Sequence, residues 1–155
     1  MNKINCSVRC MVHKDLEKVT DIEHESSNYE NILTEDEIVQ FLRQNDTVGL
    51  VAEVDDQIVG FCLYRKKTNT LIVYRIVVSP YYRRFKIGTQ IVEKLKQKMS
   101  FGNRTHLTIA VSERNIEGQL FLRANGFFCY KTKLKFFDED DAYCFKLEVK
   151  DAITK

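Results

Sequence analysis

Apolar positions along the chain recur with two periods, and the changes of period mark its elements. Asn5 to Met11 reads as a first strand. His13 to Glu25 carries Leu16, Val19 and Ile22 at helical spacing, so a helix is expected there. The polar stretch "SSNYENIL" then forms a loop. "TEDE" follows, placing Thr34 three residues before Glu37 as a capping box for a second helix, with Ile38, Phe41 and Leu42 as its apolar stripe. "TVGLVAEV" and "QIVGFCLYRK" flank Asp55-Asp56, the expected tight turn of a hairpin. "LIVYRIVVS" is apolar with little alternation and predicts a central strand covered on both faces. Ile87 to Met99 returns to helical spacing through Ile91, Val92, Leu95 and Met99, and "HLTIAVS" is a further strand. A short helix opens near Asn115 and closes at Gly126, a residue suited to a C′ position. Strands at Phe127 to Phe137 and Ala142 to Val149 surround the acidic "DEDD" turn. The order β-α-α-β-β-β-α-β-α-β-β mixes hairpins with crossovers. It predicts an α/β fold in which a mixed sheet carries helices on both faces.

At 155 residues, with no Pro/Gly/Ser-rich linker and a single proline, the expected organisation is one domain over 1–150 with a loose tail at 151–155. A net charge of +2 argues against a strongly cationic nucleic-acid binder. It also makes the location of local charge informative. Cys6, Cys10, Cys62, Cys129 and Cys144 are odd in number and form no CxxC pair. They read as reduced, mostly core residues of a cytoplasmic protein. His13, His24 and His106 give no ligand spacing, so no metal is expected. The first residues lack the apolar core of a signal peptide, and no apolar run is long enough to cross a bilayer.

The densest positive charge falls in "VVSPYYRRFKIGTQIVEKL", where a strand hands over to a helix. The first N–H groups of a helix lack internal partners, and its dipole favours an anion there. Arg83, Arg84 and Lys86 add charge, and Gly88 permits close approach of the backbone. These residues suit a pyrophosphate. From them alone, a solvated basic helix start fits equally well.

That segment resembles the acyl-CoA-binding motif of the GNAT superfamily of N-acetyltransferases, Gln/Arg-x-x-Gly-x-Gly/Ala, here Arg83-Arg84-Phe85-Lys86-Ile87-Gly88. "LTIAVSERNIEGQLFLRANGF" is similar to the family's second half, with Asn115, Gly126 and Phe127 in its asparagine and Gly-Phe places. The resemblance covers nearly the whole chain and implies a GNAT-like three-layer fold. Within the family, "KLKFFDEDDAYCFKL" resembles the ending of RimI-like protein N-terminal acetyltransferases, which acetylate a ribosomal-protein alanine. The resemblance implies acetyl-CoA as co-substrate, lying in a splay between the fourth and fifth strands. Backbone groups of Ile76, Val77 and Val78 would pair with its pantetheine arm. N–H groups from Arg84 through Phe85, Lys86, Ile87, Gly88 and Thr89 would cradle the pyrophosphate, and Asn115 would touch the CoA arm. The expected acceptor is a peptide or protein N-terminal α-amine, a ribosomal protein among the candidates.

Three departures from the family stand out. Lys86 replaces the first motif glycine, at a cost of about 1–2 kcal/mol if φ is positive there. The places of the usual bases and acid hold Ala110, Ile72 and Leu122, none of which moves a proton. The two substrate-side tyrosines are Phe136 and Phe137. Tyr74 shares a strand face with Ile72 and is a weak catalytic candidate against a core role. Tyr29, Phe136 and Phe137 are candidate substrate contacts, and Phe121, Phe127 and Phe128 default to core. Glu113 and Glu117 read as solvated helix-start charges. Two other readings stay open: a degenerate acyl-CoA-binding sensor without turnover, and a nucleic-acid module built on "YYRRFK".

Overall fold

The computed structural model describes residues 2–26 and 30–149. The predicted tail and Tyr29 lie outside the described residues. The elements follow the predicted order: β1 Ser7–Cys10, α1 Leu16–Glu25, α2 Glu35–Leu42, β2 Thr47–Val54, β3 Gln57–Lys66, β4 Thr70–Val78, α3 Ile87–Phe101, β5 His106–Ser112, α4 Ile116–Ala124, β6 Phe128–Phe137 and β7 Asp140–Glu148. Short 3-10 turns at His13–Asp15 and Pro80–Tyr82 precede α1 and α3.

The strands form one sheet in the order β1-β2-β3-β4-β5-β7-β6. Among the described residues only β4 and β5 pair in parallel; the other neighbours are antiparallel. Asp55 and Asp56 both have positive φ, as a two-residue turn between β2 and β3 requires. The α2 capping box is present: Thr34 Oγ1 accepts from the Glu37 N–H at 3.2 Å and Glu37 Oε1 accepts from the Thr34 N–H at 2.9 Å. Gly126, with φ of 93°, ends α4. Ahead of α1, Asp15 accepts two hydrogen bonds from Arg9, at 2.8 and 3.0 Å, and one from the Val12 N–H. The Arg9 guanidinium holds the Asp15 carboxyl below the usual carboxylate range.

One face of the sheet packs α3 and α4 through Leu50, Val73, Ile91, Leu95, Leu107, Ile109, Leu122 and Phe145. The other packs α1 and α2 through Val19, Ile22, Ile38, Phe41, Val51, Phe61 and Leu63. No member of that second cluster comes from β5, β6 or β7. This corrects the expectation for β4. It is the middle strand, but of its apolar residues only Leu71 and Val73 are buried, while Ile72 and Tyr74 are 39% and 47% exposed on the face beside α2. The helices stop short there, so the run is covered on one side only at Ile72 and Tyr74, whereas Val77 further along packs on the α1/α2 cluster. The expectation of core cysteines also needs correction: Cys62 and Cys144 are buried, Cys6 is half-buried, and Cys10 and Cys129 are exposed. Phe127 is core, whereas Phe128 and Phe136 are exposed on β6, the sheet's edge.

Candidate functional site

The parallel ladder between β4 and β5 runs from Thr70↔His106 to Val73↔Ile109 and stops. Beyond it the two strands part. A bulge sets the geometry on the β3 side: Val73 faces Tyr64 and Arg75 faces Leu63, so Tyr74 is the extra residue. The extra residue turns Arg75 towards α1. There its Nε lies 3.2 Å from Glu23 Oε2, and its guanidinium also donates to the Asn31 carbonyl. Glu23 in addition accepts from the Leu33 N–H at 2.9 Å. This buried pair ties α1 and the segment before α2 to the open end of β4.

The splay opens into a cleft of about 830 Å³. Ten of the eleven expected cofactor residues line it: Ile76, Val77, Val78, Arg83, Arg84, Lys86, Ile87, Gly88, Thr89 and Asn115. Phe85 does not. Its side chain packs on the core beneath α3 and its carbonyl accepts from the Ile4 N–H. The turn before α3 alternates into the left-handed region, with φ of 71° at Arg84 and 67° at Lys86. Lys86 keeps the glycine-like backbone despite its side chain. No side chain caps α3. The N–H groups of its first turn therefore open towards the cleft between three cationic side chains, which is an anion cradle made of main chain.

Gly88 lines the cleft and carries a packing constraint as well. A Cβ there would fall 2.8 Å from the Phe121 ring of α4, so the missing side chain makes room for helix packing. Asn115 is the N-cap of α4. Its Oδ1 accepts from the Gly118 N–H at 2.9 Å, and its Nδ2 donates to Glu30 at 3.2 Å.

On the α1/α2 side, Tyr74 lines the cleft with its ring stacked on Phe41, centroids 5.1 Å apart. Ala110 lines the cleft as the first β5 residue past the ladder. Leu122 is buried in the core, and Ile72 lies on the open face of β4. Phe136 and Phe137 do not line the cleft. They stack edge to face at the far end of β6. Glu113 is not simply solvated: its carboxylate accepts from the Asp141 N–H at 3.0 Å and fixes the β6–β7 hairpin to the β5 end. Glu117 pairs with Arg83 across the cleft mouth at 3.4 Å.

Sequence reasoning missed Glu23, Arg75 and Glu30. Arg75 inside an apolar strand was a legible signal, since a buried charge needs a partner. Glu23, four residues after Val19 on the buried stripe of α1, was the matching one. Glu30 gave none. Its carboxylate accepts from the Ser112 N–H at 2.8 Å across the open end of β5. Among the described residues, no group of three His, Cys, Asp or Glu is placed to hold a metal ion. No described helix is long and apolar enough to cross a membrane.

Several solved structures share this architecture. The ribosomal-protein-S18-alanine N-acetyltransferase from Escherichia coli is 15% identical, with a TM-score of 0.83 over 94% of each chain. Ard1 from Thermoplasma volcanium is 21% identical, with a TM-score of 0.85 over 94% of this chain and 99% of its own. A putative streptothricin acetyltransferase from Bacillus anthracis str. Ames, solved in complex with acetyl coenzyme A, is 16% identical, with a TM-score of 0.77 over 94% of this chain and 99% of its own. At these identities the likeness establishes the fold. No curated protein matches the chain. The profile of the Acetyltransferase (GNAT) family matches residues 13–127, and the chain belongs to that family. Enzymes of this family take their acetyl group from acetyl-CoA.

Proposed function

We propose that the protein acetylates a peptide or protein N-terminal α-amine by direct attack within a ternary complex. The observation that carries this reading is the uncapped, left-handed turn at the start of α3, which opens into the β4–β5 splay. Arg83, Arg84 and Lys86 with the N–H groups through Thr89 would hold the CoA diphosphate. The edge of Ile76 to Val78, which β5 does not pair, would hold the pantetheine arm. Asn115 would contribute the face of its amide.

The choice of acceptor follows from the cleft's proton acceptors. Ala110, Ile72 and Leu122 have none. Glu23 is committed to Arg75 and the Leu33 N–H, Glu30 to the Ser112 N–H and Asn115, and Glu117 at the mouth to Arg83. Only a neutral amine attacks a thioester. Deprotonating an α-amine at pH 7 costs about 1 kcal/mol, against about 4.6 kcal/mol for a lysine side chain. A site without a free base therefore serves the α-amine and relies on positioning. The amine nitrogen bonds to the acetyl carbon and the C–S bond breaks. The proton lost from nitrogen balances the one taken up by the departing thiolate, by way of water at the cleft or the Tyr74 hydroxyl.

Thiol release from acetyl-CoA tests this on peptides with free α-amines and on blocked peptides offering only lysine. At pH 7 the first set should react faster, and its kcat/KM should climb with pH to a plateau above about 8, as the amine loses its proton. Faster lysine acetylation overturns the reading. Saturable acetyl-CoA uptake without thiol release on any amine would leave a binding module. The free cysteines fit a reducing compartment, and the cytoplasm is the location we assign.

A further inference from the structure

We infer that the open half-face of the sheet beyond the splay docks an acidic stretch of the acceptor polypeptide, just after its reacting amine. This rests on the acetyl-transfer reading above and adds the chemical class of the acceptor.

Register places the residues. Ala110 pairs with Cys144, and Cys144 with Lys131. Ile72 pairs with Thr108, Thr108 with Lys146, and Lys146 with Phe128. Ser112 pairs with Ala142, and Ala142 with Lys133. Cross-strand partners project to the same face. Leu107, Ile109, Val111, Phe145 and Leu147 pack under α3 and α4, so the alternating set projects to the opposite face. That is the face of Tyr74 and the cleft, where β5, β7 and β6 contribute nothing to the α1/α2 cluster; Ser112, Ala142 and Cys144 are themselves buried, so its surface is made by the longer side chains around them.

The cations on this face are organised. Lys146 Nζ sits 4.7 Å from the centroid of the Tyr130 ring, and Lys133 Nζ 5.0 Å from that of Phe136. A ring under an ammonium group positions it without consuming its charge, so its N–H groups remain available to a carboxylate. Among the described residues none of Lys131, Lys133 and Lys146 takes part in an ion pair. Several neighbouring acids have partners of their own, Glu148 with His106, Asp140 with Arg114, Asp141 with the Lys135 N–H, Glu30 with the Ser112 N–H and Glu37 in its capping box, while Asp36 lines the groove beside Tyr74.

Spacing then sets the position of the acid in the acceptor. Lys131 is two strands from Ala110, about 10 Å at ordinary strand separation. An extended peptide advances about 3.3 Å per residue. With its first amine at Tyr74 and Ala110, where the splay opens, the fourth residue reaches Lys131, and Lys146 and Lys133 flank that path on opposite sides, each two residues along its strand. Three lysines beside a mostly engaged acidic rim suit a short acidic segment better than a long polyanion.

The test uses the full chain and peptides with a constant first residue and Asp/Glu, Ala or Lys/Arg at positions two to four. Acidic peptides should exceed neutral ones in kcat/KM by about tenfold at low salt, and the gap should close as salt rises past the range where the Debye length falls below about 10 Å. The triple reversal Lys131→Glu, Lys133→Glu and Lys146→Glu should invert the order towards basic peptides while acetyl-CoA affinity stays the same. If that variant fails to fold, Lys131→Glu alone should narrow the acidic preference, and the wild-type salt profile decides independently. Normal acetyl-CoA binding and α-amine turnover with no acidic preference overturns this inference and leaves the functional proposal standing. Absence of acetyl-CoA uptake overturns both. Salt-resistant retention of RNA without a peptide preference overturns it in favour of a nucleic-acid surface.

Discussion

The two sides of the splay are made from different materials. Towards α3 and α4 the cleft wall is main chain: an unpaired strand edge, a left-handed turn and an uncapped helix start, with cations around it. Towards α1 and α2 the wall is side chain: the Glu23–Arg75 pair, Tyr74 on Phe41, and Glu30 across the end of β5. Main-chain donors recognise the part of a ligand that never varies, because their geometry survives almost any substitution. Side chains recognise the part that differs among acceptors. One wall is thus robust to mutation and the other is adjustable, and variants on the two walls should fail in different ways.

The largest effect is expected on the side-chain wall. Glu23→Ala leaves Arg75 buried without its counter-charge and the Leu33 N–H without its acceptor. Breaking a buried pair from one side costs about 3–5 kcal/mol, which urea unfolding would register as a large fall in midpoint. Retained stability would mean that the pair does not hold α1 to β4. On the main-chain wall the sharper probe is Thr89→Asp, in the third position of α3. A carboxylate there favours the helix dipole by up to about 1 kcal/mol. It also occupies the anion cradle, so acetyl-CoA affinity should fall by about tenfold to a hundredfold. Titration and thermal melting together separate the two consequences, and unchanged affinity would remove the cradle from the binding site. Gly88→Glu is a poorer probe, because its Cβ would also displace Phe121.

The same division explains what the sequence could tell. The main-chain wall was legible because glycine, helix-start and basic residues fall within one contiguous stretch, Arg83 to Thr89. Element order was legible for a related reason: capping boxes, two-residue turns and changes of period are local. The side-chain wall was not, since Glu23 meets Arg75 from 52 residues away and Glu30 meets Ser112 from 82. The bulge at Tyr74 left no mark either, and it decides which way Arg75 points. The open face was misread for the same reason. How far two helices extend over a sheet is a matter of packing, so an apolar strand in the middle of the order looked covered.

Lys86 is where the two kinds of wall meet in one residue. Its backbone serves the turn, with φ of 67° and ψ of 22°, while its side chain adds charge at the cleft. A side chain in the left-handed region costs about 1–2 kcal/mol, and glycine removes that cost while losing more entropy on folding. Lys86→Gly should therefore raise stability by about 1 kcal/mol, a rise of about 2–4 °C in melting temperature for a chain of this size. The same change removes an exposed cation beside the phosphates, worth about 0.2–1 kcal/mol, so acetyl-CoA should bind more weakly by up to about fivefold, with a shallower dependence on salt. Stability and affinity move in opposite directions only if the backbone carries the strain and the ammonium group carries the binding. Weaker binding with no gain in melting temperature would show that Lys86 sits in the turn without strain, and a gain in both would show that its charge faces away from the ligand.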